Sequence, residues 1–199
     1  RNETFWGTPP GPAGVIYVLY ANEDVMAQAL KRGDVDILTE VPPTIWDGLA
    51  GAENVKPVSL PSWSFHHIGF NVSEEATSKG NPLLRDVKVR QALSFTLDRD
   101  QLVEIALAGH GQVGSTLIPA GLSDWHYEPT AEETMNGDAA RANALLDEAG
   151  YKDGNGDGVR EDASGKPLEF RLIAIESTSV DVRAAQLFAE SAKAVGVKL

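Results

Sequence analysis

The chain has 199 residues, room for one large domain or two small ones, and its 42% hydrophobic and 23% charged residues are those of a globular protein with a core. A formal net charge of -12, with no basic run to offset it, argues against a nucleic-acid partner. The absence of cysteine excludes disulfides, thiolate metal sites and cysteine nucleophiles together, and no apolar stretch is long enough to span a bilayer.

Residues 15–20 are an apolar, β-branched and aromatic run and predict a buried strand. Asn22 then caps a helix with Val25, Met26, Ala29 and Leu30 on one face, closed by Gly33. A short strand is expected at 35–38. A helix opened by Pro42 and Pro43 runs to Leu49, and strands follow at 55–60 and 65–70. Residues 71–82 turn polar and read as a linker or surface loop. Asp86 caps a helix carrying Val89, Ala92, Leu93, Thr96 and Leu97. Asp98 with Gln101 forms a capping box for a helix at 102–108. Residues 119–135 are irregular. Asp138 caps a helix with Ala142, Leu145, Leu146 and Ala149, stopped by Gly150. A strand at 168–175 precedes an amphipathic helix at 182–195 that ends at Gly196. The chain opens on Arg1 and Asn2 rather than Met, and residues 197–199 look like a strand beginning, so both ends read as cuts in something longer.

Four segments in order carry a resemblance: AQALKRGDVDI at 27–37, GFN at 69–71, LRDVKVRQAL at 84–93 with LDR at 97–99, and ALLDEAGY at 144–151 leading to DGVR at 157–160. Together they resemble the family 5 extracellular solute-binding proteins, the oligopeptide, dipeptide and nickel binders of ABC importers. The chain departs from the family pattern in a longer loop at 73–81 and in Leu84 where Phe is usual. The resemblance implies an α/β fold, part of a two-lobed, class II periplasmic-binding-protein clamshell with mixed sheets flanked by helices. Residues 1–71 would belong to the first lobe and 72–199 to the first half of the second. It implies a binder rather than an enzyme: a component that takes peptides or similar small solutes outside the membrane and delivers them to permease subunits. The location would be periplasmic or extracellular, with any lipid anchor on residues that precede this chain.

The expected chemistry is therefore that of a cleft lined by aromatic platforms, backbone groups and a few charges. By position in the resemblance, Trp63 and His67 match places where the family contacts ligand, and Phe65 shares their side of a strand by period two. Thr39 and Glu40, at the end of the strand 35–38, match an edge that offers backbone groups to an extended ligand. The plainer reading makes Trp63 and Phe65 core residues, the histidines surface strand residues and Thr39 and Glu40 a solvated strand end. His66 and His67 point to opposite faces of a strand and do not chelate one ion. Arg85, Lys88 and Arg90 with Asp86 read as a capped, solvated helix face.

Asp153, Asn155 and Asp157, each followed by Gly, open like a calcium loop, with oxygen ligands at every second residue. The twelfth position is Ser164, where a bidentate Glu belongs, and either Glu161 or Asp162 would have to supply the missing oxygen. The plainer reading is a turn-rich acidic hairpin. Calcium is the one cofactor the sequence offers a place for, and it supports an alternative function as a calcium-binding extracellular structural or adhesion module.

Overall fold

The computed structural model of the chain describes residues 2–8, 11–60, 62–130 and 133–199. Its contacts divide the chain into two compact units, residues 1–59 and 60–199. The division of a clamshell into lobes at residue 71 is a larger one than these contacts address.

The first unit is built on two helices, α1 (Glu23–Arg32) and α2 (Pro43–Ala50). Asn22 Oδ1 accepts from Val25 N at 2.9 Å, satisfying a donor that the first turn leaves without a helical partner. Glu23 and Asp24 at that end and Lys31 and Arg32 at the other both complement the helix dipole. Ala27 and Ala29 are the buried side chains of α1, and Met26 and Leu30 are half-buried beside them; of the expected face only Val25 stays exposed. Asn54 Nδ2 donates to Lys31 O at 2.9 Å and ties the segment after α2 back to the end of α1.

The second unit holds the main core. Its helices are α3 (Val87–Thr96), α4 (Arg99–Ala106), α5 (Ala139–Glu148) and α6 (Ser179–Lys193), preceded by a 3-10 turn at Pro82–Arg85. Helix α3 packs chiefly on α5, and α4 on α6. Val89, Leu93, Leu146, Leu168 and Val197 are almost wholly buried between them, and Ile68 and Phe70 pack against this core from the preceding extended segment. Burial of such side chains, about 1.5–3 kcal/mol each, holds the unit together.

Caps set the helix starts. Asp86, Asp98 and Asp138 accept from Lys88 N, Gln101 N and Arg141 N at 2.8, 2.9 and 2.8 Å. Helix α6 begins at Ser179, three residues ahead of the expected 182, and its N-cap Thr178 makes no side-chain bond. The basic residues before and within α3 are not a uniformly solvated face. Arg90 is half-buried, and its Nη1 donates to Leu84 O and Arg85 O at 2.8 and 2.9 Å, locking the 3-10 turn onto the helix. The loop 71–82 is likewise tied down. Asn71 Nδ2 donates to Ser78 O, Arg85 Nη2 donates to Ser73 O, and a Cβ at Gly80 would meet Ser73 O at 2.8 Å.

The mixed sheets expected from the sequence do not form among the described residues. The segments 15–20, 35–38, 55–60 and 65–70 run without a β-ladder. Pairing is limited to isolated bridges, antiparallel at Lys152–Glu161 and Glu161–Pro167 and parallel at Glu169–Lys198. A strand, unlike a helix, closes its hydrogen bonds only through a neighbour. Residues 15–20 have no such partner here, and Ile16, Tyr17 and Leu19 stand 90%, 90% and 95% exposed.

Arg160 binds these parts together. Its guanidinium donates to Asp147 Oδ1 and Asn143 Oδ1 on α5, to Tyr151 O, and through Nε to Val195 O beyond α6. Its backbone N donates to Gly196 O at 2.8 Å. Gly196 has φ +79°, and a Cβ there would lie 2.8 Å from Arg160 Cγ. Arg160→Met is expected to lower the unfolding free energy by about 2–4 kcal/mol in urea denaturation, because two carbonyls lose a donor. Gly196→Ala is expected to lower it by at least about 1 kcal/mol through the left-handed backbone alone.

Candidate functional site

The segment 62–70 is extended, and its alternation sorts its side chains (Pro61, at the head of the expected aromatic stretch, lies outside the described residues). Phe65 and His67 share one side, and Trp63 sits on a bend just before them. Trp63 is 70% exposed and Phe65 is 43% exposed. The Phe65 and His67 rings pack with centroids 5.6 Å apart and planes inclined at 51°. Neither aromatic residue is a core residue in this structure; Phe65 and His67 form an exposed ring pair, with Trp63 exposed on the bend before it.

His66 points the other way. Its Nδ1 lies 2.9 Å from Asp181 Oδ1, in the first turn of α6, where a carboxylate also complements the helix dipole. One histidine therefore anchors the segment and its neighbour joins the exposed face, and the two do not converge on an ion.

Thr39 and Glu40 sit in the first unit, on a bend after 35–38, and both are exposed. Glu40 has φ +54°, a left-handed conformation uncommon for a residue with a side chain. It swings the main chain out of the extended course that precedes it.

A depression of ≈ 680 Å³ lies elsewhere, lined by Asn143, Asp147, Asp153, Arg160 and Val195 among others. Asn143 and Asp147 there are committed to Arg160, and Asp153 to the backbone of its own loop.

The acidic loop is closed by its own donors. Asp153 accepts from Gly156 N and Gly158 N at 2.7 and 2.9 Å, Asp157 from Val159 N at 2.8 Å, and Glu161 from Gly154 N at 2.9 Å and Asn155 Nδ2 at 2.7 Å. Oxygens of Asp153, Asp157 and Glu161 lie within 4.8 Å of one another, a span compatible with oxygen ligands about 2.3–2.6 Å from one calcium ion. Glu161 rather than Asp162 completes the group. Asp162 faces the other way, and bonds from the Ser164 hydroxyl and the Lys166 backbone hold its carboxyl below the usual range.

Composition alone marks Trp125, His126 and Tyr127, in an irregular loop, as able to reach the cleft; in the structure the turn of that loop at Gly121 lies against Trp63, where a Cβ would be 3.8 Å from Trp63 Cδ1. Composition did not place the loop against that ring.

The family model for bacterial extracellular solute-binding proteins, family 5 (middle), matches residues 1–199. The oligopeptide-binding protein AppA of Bacillus subtilis is 30% identical over 199 residues, which are all of this chain and 35% of that protein. The dipeptide-binding protein of Escherichia coli is 24% identical over 150 residues, 75% of this chain and 26% of that protein. The chain thus spans about a third or less of these relatives. Among solved structures, Bacillus subtilis AppA in complex with a nonapeptide superposes with a TM-score of 0.76 at 28% identity, over 89% of this chain and 33% of that one. NikA of Brucella suis in complex with Fe(III)-EDTA gives 0.73 over 100% of this chain and 38% of that one; at 20% identity it speaks for the fold alone.

His66→Ala is expected to loosen the segment 62–70 and cost up to about 1 kcal/mol, the range of a solvent-accessible pair. His67→Ala is expected to leave the melting temperature unchanged. Equal losses from both would contradict the alternation described here.

Proposed function

The chain belongs to the bacterial extracellular solute-binding proteins, family 5, and on that premise we propose that it forms part of the substrate-binding component of an ABC importer, taking up peptides or similar small solutes. The observation that carries this reading is the family match over residues 1–199, in company with a relative named for oligopeptide binding. The protein would work outside the cytoplasmic membrane, free or lipid-tethered, and would hand its solute to permease subunits. Among the described residues no helix is long and apolar enough to cross a membrane.

The mechanism is differential affinity. A solute that touches both lobes of a clamshell stabilises the closed state over the open one, and the transporter reads closure. Binding of this kind requires no nucleophile or general base, and we read the protein as a binder rather than an enzyme. Phe65 and His67, with Trp63 on the bend before them, offer rings to the solute; Thr39 and Glu40, in the other unit, are separate candidates for backbone contacts. A thermal-shift screen of the whole protein against di- to nonapeptides, nickel chelates and oligosaccharides tests this. A peptide at a hundredfold over its Kd adds about 2.7 kcal/mol and a clear rise in Tm. A rise with chelates or sugars only would replace peptides as the solute.

The second reading concerns the loop 153–161. Three carboxylates drawn to one point in a chain of net charge -12 repel one another, and an all-oxygen set suits a hard cation. We propose a structural calcium there, apart from the solute. Millimolar calcium is expected to raise Tm and EDTA to reverse it. A Tm indifferent to both would leave a turn closed by its own N–H donors.

A further inference from the structure

The loop 116–128 is folded around one histidine. Leu122 N donates to Pro119 O at 2.9 Å, and Trp125 N and His126 N both donate to Leu122 O at 2.9 and 3.0 Å, giving two tight turns in succession. The His126 side chain, 12% exposed, lies inside them. Its Nδ1 is 2.6 Å from Ile118 O and its Nε2 is 2.9 Å from Glu128 Oε2. A carbonyl oxygen and an ionised carboxylate only accept hydrogen bonds, so both ring nitrogens must carry hydrogen, and the ring is an imidazolium. The Glu128 carboxylate first, and the Ile118 carbonyl second, hold its pKa above the ordinary histidine value. Among the described residues Glu128 is the one charged group acting on it; Asp124 and the Tyr127–Glu133 pair lie on the same stretch.

The loop so closed leaves aromatic residues facing water. Trp125 is 76% exposed and Tyr127 56%, with the Tyr127 hydroxyl donating to Glu133 at 2.7 Å. The same loop abuts Trp63 at Gly121, where the built Cβ falls 3.8 and 3.9 Å from Cδ1 and Nε1 of the indole. A methyl group at 121 would rest in ordinary contact with the ring. Exposed aromatic residues on a loop fixed by satisfied polar bonds make a ready contact surface for apolar groups, because little conformational entropy remains to be lost on binding.

We propose that the loop 116–128 is a second solute-contacting element beside Trp63, with Trp125 supplying its contact to apolar or aromatic peptide side chains, and that His126, as an imidazolium, is the positioning residue that seats it. This rests on reading Trp63 as solute-facing. A histidine with raised pKa contributes its stabilisation in full below its unfolded value of about 6.5 and loses it as pH rises through the folded value. The seating of the loop therefore weakens on the alkaline side. Deprotonation takes the hydrogen from Nε2 and releases the Glu128 carboxylate, while the Nδ1–H tautomer keeps its bond to Ile118 O, so the pH dependence rests on the Glu128 bond.

Two measurements on the whole protein test the proposal. The first needs no ligand: the His126 ring signals are followed by NMR against pH. Both ring nitrogens are expected to be protonated at about pH 6.5, with a midpoint above the ordinary value that falls back in Glu128→Gln. A ring half deprotonated at that pH or below overturns the clamp. The second is calorimetric titration with the peptide that gives the largest Tm rise, at about pH 6 and about pH 9. Trp125→Ala is expected to raise Kd about tenfold or more. The wild type is expected to bind more weakly at the higher pH, and His126→Gln to show a flat profile. If Trp63→Ala weakens binding while Trp125→Ala stays within about twofold, the loop is not a contact element. If neither variant matters, the reading of Trp63 itself falls. If the wild type binds no peptide, the peptide reading falls and the Trp125 contact with it, while the clamp still stands or falls on the NMR result.

Discussion

The guanidinium of Arg160 is the constraint on which the larger unit depends. It joins Asn143 and Asp147 on one face of α5 and the carbonyl of Tyr151 just beyond it to the carbonyl of Val195 past the end of α6. Carbonyl groups at helix ends lack intrahelical partners, and a planar fork with five donors satisfies several of them at once. The point is reached because the acidic loop reverses the chain through Asp153, Asn155 and Asp157, each accepting from a backbone N–H two to five residues on. The loop that looks like an ion site in sequence thus already has a mechanical task, which is to deliver Arg160.

A similar division runs through the other motif. In LRDVKVRQAL, Asp86 caps α3 and also accepts from the Tyr151 hydroxyl at 3.4 Å, while Arg90 holds the preceding turn. Burial first, and then the Asp86 charge, raise the pKa of the Tyr151 phenol above its ordinary value. The residues by which the family is recognised are those that make its frame. The residues read as touching solute lie between the motifs, on extended or looped chain, where the frame leaves side chains outward.

This explains what was legible in the sequence. Helices could be read because caps, glycines and buried faces are local: Asn22, Asp86, Asp98 and Asp138 all cap as expected. The inward face of α1 was legible in Met26, Ala29 and Leu30 but not at Val25, which stays exposed while Ala27 turns in. The β-structure was overread, because a β-branched run states a preference for a ladder without supplying the neighbouring strand. At the site, period-two alternation correctly separated His66 from His67. It said nothing of the loop 116–128, whose turns close on the His126 ring and set a glycine against a distant indole. Neither leaves a periodic trace.

The unpaired stretch at 15–20 has a further consequence. With Ile16, Tyr17 and Leu19 almost wholly in water and its backbone N–H and C=O groups unladdered, this stretch is an adhesive edge of the kind that templates chain-to-chain β-pairing. Ile173 and Ile175 form a second apolar spot of the same kind. Electrostatic repulsion at net charge -12 keeps copies of the chain apart at neutral pH, and it vanishes near the isoelectric point of about 4.7. Handled by itself, this stretch of protein is colloidally safe only while it stays charged, and mild acid or high salt is enough to turn those edges toward one another.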